Sequence, residues 1–210
     1  MIANLLVQPA YFAPIAHYAA VLQANTTEFE TQGSFMKQTY QTRCYIYSAN
    51  GKLLLNIPIK GAKGVKKNIT EVELSYDEDW QKNHLRSLQS AYRTSPFYEY
   101  YESDLMEVFT TKHKYLWELL KKTNDFIMDA LQETRPFTQT DKFLHDHSNR
   151  IDIRGWIATK KELEINFPKY VQMFDHKYGF IENLSVLDLL FMEGPNASMY
   201  LENLNLKHVI

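Results

Sequence analysis

The stretch LLVQPAYFAPIAHYAAV, residues 5–21, decides the fold class. It continues the apolar run IANLLVQ (residues 2–8), which lacks strict alternation, as a strand buried on both faces would. Pro9 and Pro14 bracket a turn, and Pro14 suits the first position of a helix over about 14–24. TTEFE, residues 26–30, then reads as a second strand. Strand, helix and strand in this order predict a parallel βαβ unit with a right-handed crossover. Such a junction can hold a ligand, because the strand end delivers side chains to one point while the helix start offers unpaired backbone N–H groups. Gln8, Tyr11 and His17 sit there.

Further along, CYIYSANGKLLLNIPIK (44–60) places two β-rich runs around Asn50-Gly51, the pair suited to a type I′ turn, and predicts a hairpin. A Gly- and Lys-rich connection, GAKGVKKN (61–68), leads to ITEVEL (69–74), whose alternation reads as a strand. Helices follow. Asp77 can cap one over about 78–92, with Trp80, His84, Leu88 and Ala91 on one stripe. Ser95-Pro96 starts another over about 96–109. A third over 113–132 carries Leu116, Leu119, Leu120, Ile127, Ala130 and Leu131 at helical spacing. Beyond Pro136, FTQTDKF reads as a strand and HDHSNRIDIRG as a loop. Ser185 and Asp188 form a capping box for a short helix ended by Gly194-Pro195, and a final helix covers about 196–203. The expected fold is α/β, with α+β as the alternative: a mixed sheet holding the βαβ unit and the hairpin, plus a lobe of helices over about 77–132. No repeat or linker divides the chain, so one domain over 1–210 is expected.

Composition narrows the function classes. An apolar fraction of 45% and a charged fraction of 23% are those of a globular protein, whereas 14 Tyr and 12 Phe are unusual. Each tyrosine needs a partner for its hydroxyl, either at a half-buried groove or at the edge of a core. A net charge of −2 opposes a general nucleic-acid binder. The single Cys44 excludes an intramolecular disulfide and a multi-cysteine zinc site. No stretch approaches the roughly 20 apolar residues of a membrane span, and no signal peptide is evident, so a cytoplasmic location is expected.

Several constellations could carry chemistry. F-A-P-I-A-H is similar in part to the strand-to-helix motif of cytidylyltransferase-like nucleotidyltransferases, but that motif needs a second histidine and here His17 is followed by Tyr18. Lys37, Tyr40 and Arg43 precede an apolar strand, where Arg43 either forks onto a carboxylate or phosphate or pairs with Glu28 or Glu30. Arg86, Ser90 and Arg93 share a helical face. They form either an anion site with the helix start near Pro96 or a solvated face paired to Asp79 or Glu99. His145, Asp146 and His147 would be ligand-like on a strand, but no further ligand lies nearby, and no metal is assigned. Cys44, directly after Arg43, reads as a packed thiol rather than an activated one. The basic loop Lys60–Lys67 is too diluted by glycine to suggest nucleic acid.

Taken together, the strings QPAYFAPIAHY, KQTYQTRCYI with ANGKLLLNIPIK, Trp80-x-x-x-His84, SAYRTSPFYEYY, YVQMF and GFIENLSVLDLLFMEGP resemble the WbqC-like family of bacterial proteins, in the branch found in Bacteroidetes. The likeness covers nearly the whole chain and is weakest over about 133–165. It implies a context among genes for O-antigen or other surface polysaccharides. The role it suggests is transfer of an amino acid such as glycine, or a related acyl group, to an amino sugar. The motif positions it carries over are Gln8, Pro9, Tyr11, Phe12, Lys37, Arg43, His84, Arg93, Pro96, Asn183 and Asp188. One departs from the pattern: many relatives have a histidine where this chain has Val7.

These readings combine into one expectation. Gln8 and Tyr11 line a strand-end pocket, while Lys37, Arg43 and Arg93 hold an anionic ligand such as a sugar nucleotide. His84 acts as general base, and Asp188 either joins it or caps its helix. A non-catalytic scaffold protein that presents the tyrosines of SPFYEYY to a partner is the alternative, and a nucleotidyltransferase-like enzyme the third. No cofactor is identified, and a homo-oligomer is left open.

Overall fold

The computed structural model describes residues 2–61, 67–143 and 149–210. The His145–Asp146–His147 cluster and most of the basic loop therefore lie outside the described residues. The first strand, β1 (Ile2–Val7), runs through the turn into α1 (Ile15–Gln23) and returns as β2 (Ala24–Phe29), parallel to β1 as expected. Two short strands complete the sheet: β5 (Phe137–Gln139) beside β2 and β6 (Ile151–Asp152) beside β1, both parallel. The order is β5-β2-β1-β6. The loop reading of HDHSNRIDIRG thus missed β6, which is only two residues long and has no alternation to show.

The hairpin is a separate two-stranded sheet, β3 (Arg43–Ser48) against β4 (Gly51–Asn56). Parallel and antiparallel strands are both present, divided between two sheets, in an α/β arrangement. The turn itself differs from type I′. Ser48 pairs with Gly51, and Gly51 alone has positive φ (90°), while Ala49 and Asn50 do not. This is the three-residue loop in which glycine takes the left-handed position after an ordinary turn.

The helical run comprises α2 (Trp80–Tyr92), α3 (Tyr98–Thr110) and α4 (Leu116–Ala130). The stripe of Trp80, His84, Leu88 and Ala91 is buried as its spacing requires. Asp77 does not cap α2; it accepts from the Ser75 hydroxyl, and the helix starts after Asp79. ITEVEL is not a strand. It begins as a 3-10 turn over Ile69–Glu71, and Glu73 and Leu74 make only single bridges, to Tyr115 and Ile59. Asn68 and Glu71 close that turn with a reciprocal capping box, a local bond set that outcompetes alternation. A short α5 (Asp175–Tyr178) precedes α6 (Val186–Glu193) and α7 (Asn196–Asn203). Among the described residues no helix is long and apolar enough to cross a membrane.

Five tyrosines, Tyr11, Tyr18, Tyr47, Tyr92 and Tyr98, are among the largest fully buried side chains. The aromatic surplus therefore belongs mainly to the core. Within SPFYEYY the helical period turns Tyr98 inward and leaves Tyr100 77% exposed, so these tyrosines do not share one face.

The start of α1, at the junction of strand and helix, is closed by the chain itself. The Ile15 N–H donates to the Leu184 carbonyl, the Ala16 N–H to Asn183 Oδ1, and the Ser185 hydroxyl to the Phe12 carbonyl. Asn183 acts as cap for a helix remote in sequence and takes φ 51°, a conformation that asparagine tolerates better than most residues. Asn183→Ala is therefore expected to lower stability by about 1–2 kcal/mol, read as an earlier urea midpoint with an unchanged slope. An unchanged midpoint would mean that this cap contributes nothing.

Candidate functional site

Strand order reverses at β1, because the chain steps outward from β1 to β2 to β5 and then places β6 on the other side. In open parallel sheets such a reversal leaves a crevice beyond the carboxyl ends of the strands. A cavity of about 600 Å³ lies there, a size suited to a small organic ligand. Gln8 follows β1, Gln32, Gly33 and Ser34 follow β2, Asp152 ends β6 and Arg154 lies just beyond it. Met36, Phe143, Ile157 and Ala158 supply apolar wall.

A buried carboxylate organises the rim. Glu30, with no solvent exposure, accepts at Oε1 from the Gln32 N–H (2.9 Å), the Gly33 N–H (3.1 Å) and the Thr140 hydroxyl (2.9 Å). Its Oε2 accepts from Arg154 Nη1 at 3.1 Å. Arg154 also forks onto Asp152, with Nε to Oδ1 at 3.0 Å and Nη2 to Oδ2 at 2.9 Å, and lies over the Phe143 ring at 5.0 Å. Burial opposes the charge of Arg154, but its bonds to Asp152 and Glu30 outweigh that and hold the guanidinium above its usual range.

Gln8 is the sequence-predicted residue that reaches this cavity. Its amide orientation follows from an unambiguous donor. The Met36 backbone N–H donates to Gln41 Oε1 at 2.9 Å, which leaves Gln41 Nε2 to donate to Gln8 Oε1 at 3.0 Å. Gln8 Nε2 is thereby turned toward the side where Gly33 has no side chain; a Cβ there would lie 3.5 Å from it.

The other expected residues do not gather around it. Tyr11 is fully buried, its hydroxyl 2.9 Å from His84 Nδ1. His84 is enclosed by Trp80 and Phe109 rings, and burial lowers its pKa to about 4, against a smaller opposing effect of the Asn56 carbonyl. Arg43 reaches Asn56 Oδ1 across the hairpin at 3.4 Å. Glu28 and Glu30, its proposed partners, are taken by Arg150 and Arg154. Arg86, Ser90 and Arg93 lie on an exposed stripe, and neither arginine makes an ion pair with a described residue; Asp79 pairs with Lys82 instead. Lys37 is exposed, one residue after the cavity wall at Met36. Cys44 is buried, which pushes its thiol up and leaves it a packed side chain.

Asp188 makes no capping box. Ser185 alone caps α6, accepting from the Leu187 N–H. The fully buried Asp188 carboxylate instead accepts from the hydroxyls of Tyr92 (2.7 Å) and Tyr170 (2.6 Å) and from Gln172 Nε2 (2.9 Å). Burial raises its pKa, opposed by those three donors. The Tyr92 hydroxyl in turn accepts from the Tyr47 N–H, so this knot ties α2, β3 and α6 together. His17 is also buried, with its pKa lowered to about 4, and its helix start is the one closed by Asn183 and Leu184. Among the described residues no group of three or more His, Cys, Asp or Glu could hold a metal ion.

Gln41, Asp152 and Arg154 are not marked by the sequence reading, and Glu30 enters it only as a possible partner of Arg43. The available signal was positional: each charged one sits at or just past the carboxyl end of a strand, where α/β ligands bind.

The model of the WbqC-like protein family matches residues 8–158 of the 210-residue chain. The chain belongs to the WbqC-like family. No curated protein and no solved structure matches it. The family match begins at Gln8 and ends at Ala158, both of which line the cavity.

The burial of His84 has a measurable consequence. Its ring stays neutral in the fold down to about pH 4, whereas the unfolded ring takes a proton near 6.5. Above pH 6.5 the ring is neutral in both states; as pH falls from there toward 4, proton uptake by the unfolded chain destabilises the fold by up to about 3 kcal/mol. The His84 resonances should therefore stay those of a neutral ring at pH 5.5 in the folded protein, and an ordinary titration near 6.5 would contradict this placement.

Proposed function

We propose that this protein is a transferase of surface-polysaccharide biosynthesis that moves an aminoacyl or acyl group to an amino sugar of a nucleotide- or lipid-linked carrier, with the sugar seated in the carboxyl-edge cavity. In such a transfer the amine nitrogen attacks the donor carbonyl, the amide bond forms, the donor's leaving group departs, and the nitrogen gives up a proton. The observation that carries the reading is a cavity of about 600 Å³ at the strand-order reversal, with apolar wall and the Gln8 amide in its lining. The family context supplies the substrate class. Lys37 stands close enough in sequence to the Met36 wall to serve a carrier phosphate at the mouth.

A non-catalytic sugar-binding protein is the second reading, and one observation favours it. Among the described residues that line the cavity none is histidine, lysine or cysteine, and both carboxylates of the rim bond Arg154. The two readings separate by mass. Incubation with nucleotide-linked amino sugars and acyl or aminoacyl donors should give a sugar product heavier by the acyl group, with turnover reduced at least tenfold in Gln8→Ala. Stoichiometric sugar binding without a new mass would favour the binding protein; binding by neither the wild type nor the variant would remove both readings.

A further inference from the structure

We infer that the cavity is shaped to the acylated product of that transfer, a neutral N-acyl amino sugar held through its amide carbonyl, in preference to the free ammonium or hydroxyl form; this rests on the reading that a sugar occupies the cavity. The polarity of the site follows from a chain of hydrogen bonds that starts at a group with only one role. The Met36 N–H can only donate, so Gln41 presents Oε1 to it and Nε2 to Gln8, and Gln8 is left with its NH2 on the cavity side. Gln8 is 7% exposed, and no hydrogen bond to a described residue engages Nε2. A ligand that displaces water from Nε2 must bring an acceptor in its place, because a donor desolvated without one costs about 1–3 kcal/mol.

An ammonium group cannot accept, and it would face Nε2 donor to donor. A hydroxyl can accept but brings no apolar group. An acyl amide brings a carbonyl oxygen and, beside it, a methyl or methylene. Met36 and Phe143, at 49% and 41% exposure, contribute apolar cavity wall for that part. The charge of the site's cation is already offset, because Arg154 donates from Nε, Nη1 and Nη2 to Asp152 and Glu30. Gly33 keeps the approach open, since a Cβ there would stand 3.3 Å from the Phe143 ring and 3.5 Å from Gln8 Nε2.

The test is calorimetric titration with UDP-N-acetylglucosamine, UDP-glucosamine and UDP-glucose at pH 7, in which the shared nucleotide cancels from the comparison. The wild type should bind the N-acetyl form about tenfold more tightly than either other sugar, the scale of one hydrogen bond and its unpaired alternative. Gln8→Glu keeps the Gln41 bond but turns an acceptor into the cavity, so the preference should invert toward the ammonium sugar. Gly33→Ala should weaken N-acetyl binding at least about threefold by pushing on the Phe143 ring of the apolar wall, 3.3 Å from the added Cβ. Equal or tighter binding of UDP-glucosamine by the wild type, or an unchanged preference in Gln8→Glu, overturns the acyl seat while leaving a sugar site standing. If Gln8→Glu fails to fold by circular dichroism, Gly33→Ala decides, and unchanged N-acetyl affinity there overturns the inference. Absence of binding by all three sugars to the wild type overturns both this inference and the reading beneath it.

Discussion

A carboxylate with no access to water holds the carboxyl edge of the sheet together. Removing Glu30 from solvent costs several kcal/mol unless its oxygens are satisfied, and the fold meets that demand with two backbone N–H groups, a threonine hydroxyl and a guanidinium. Those donors come from the turn after β2, the end of β5 and the end of β6. Meeting the needs of one anion thus fixes three chain segments around a single point. The cavity is what remains between them, and its cation is bound to Glu30 and Asp152 before any ligand arrives.

The same rule explains the residues that looked chemical in the sequence and lie elsewhere in the fold. Tyrosine hydroxyls buried in a core need partners. Tyr11 finds His84, Tyr18 finds Asn124, and Tyr92 and Tyr170 share Asp188. The start of α1, where a phosphate might be sought, is occupied by Asn183 and the Leu184 carbonyl. In each case an interior polar group is matched to another from a distant part of the chain. The motif positions Tyr11, His84, Asn183 and Asp188 each take part in such matching.

The parts of the fold legible in the sequence are those set by local rules. The βαβ order follows from the apolar run of Ile2–Val7, Pro14 and the short strand after α1. The buried stripe of α2 follows from helical spacing. The hairpin was legible but its turn was shifted by one residue, since Asn-Gly serves both a type I′ turn and the glycine of a three-residue loop. ITEVEL alternates like a strand, yet Asn68 and Glu71 satisfy the backbone locally first. At the site, Gln8 could be read because it directly follows β1. Glu30 and Arg154 could not, because they are 124 residues apart and no local pattern marks one as the partner of the other. Arg43 and Arg93 drew attention as cations on recognisable elements, but charge on an element does not say which way the element faces.

The account turns on ligand contact at the carboxyl edge rather than at the His84 interior or the exposed arginine stripe. Side-chain 15N NMR on uniformly 15N-labelled protein, titrated with UDP-N-acetylglucosamine, addresses this directly. The account predicts that the Gln8 NH2 resonances move in step with ligand occupancy, with the Arg93 guanidinium and the His84 ring undisturbed. Saturable shifts at Arg93 or His84 with the Gln8 amide unmoved would contradict it.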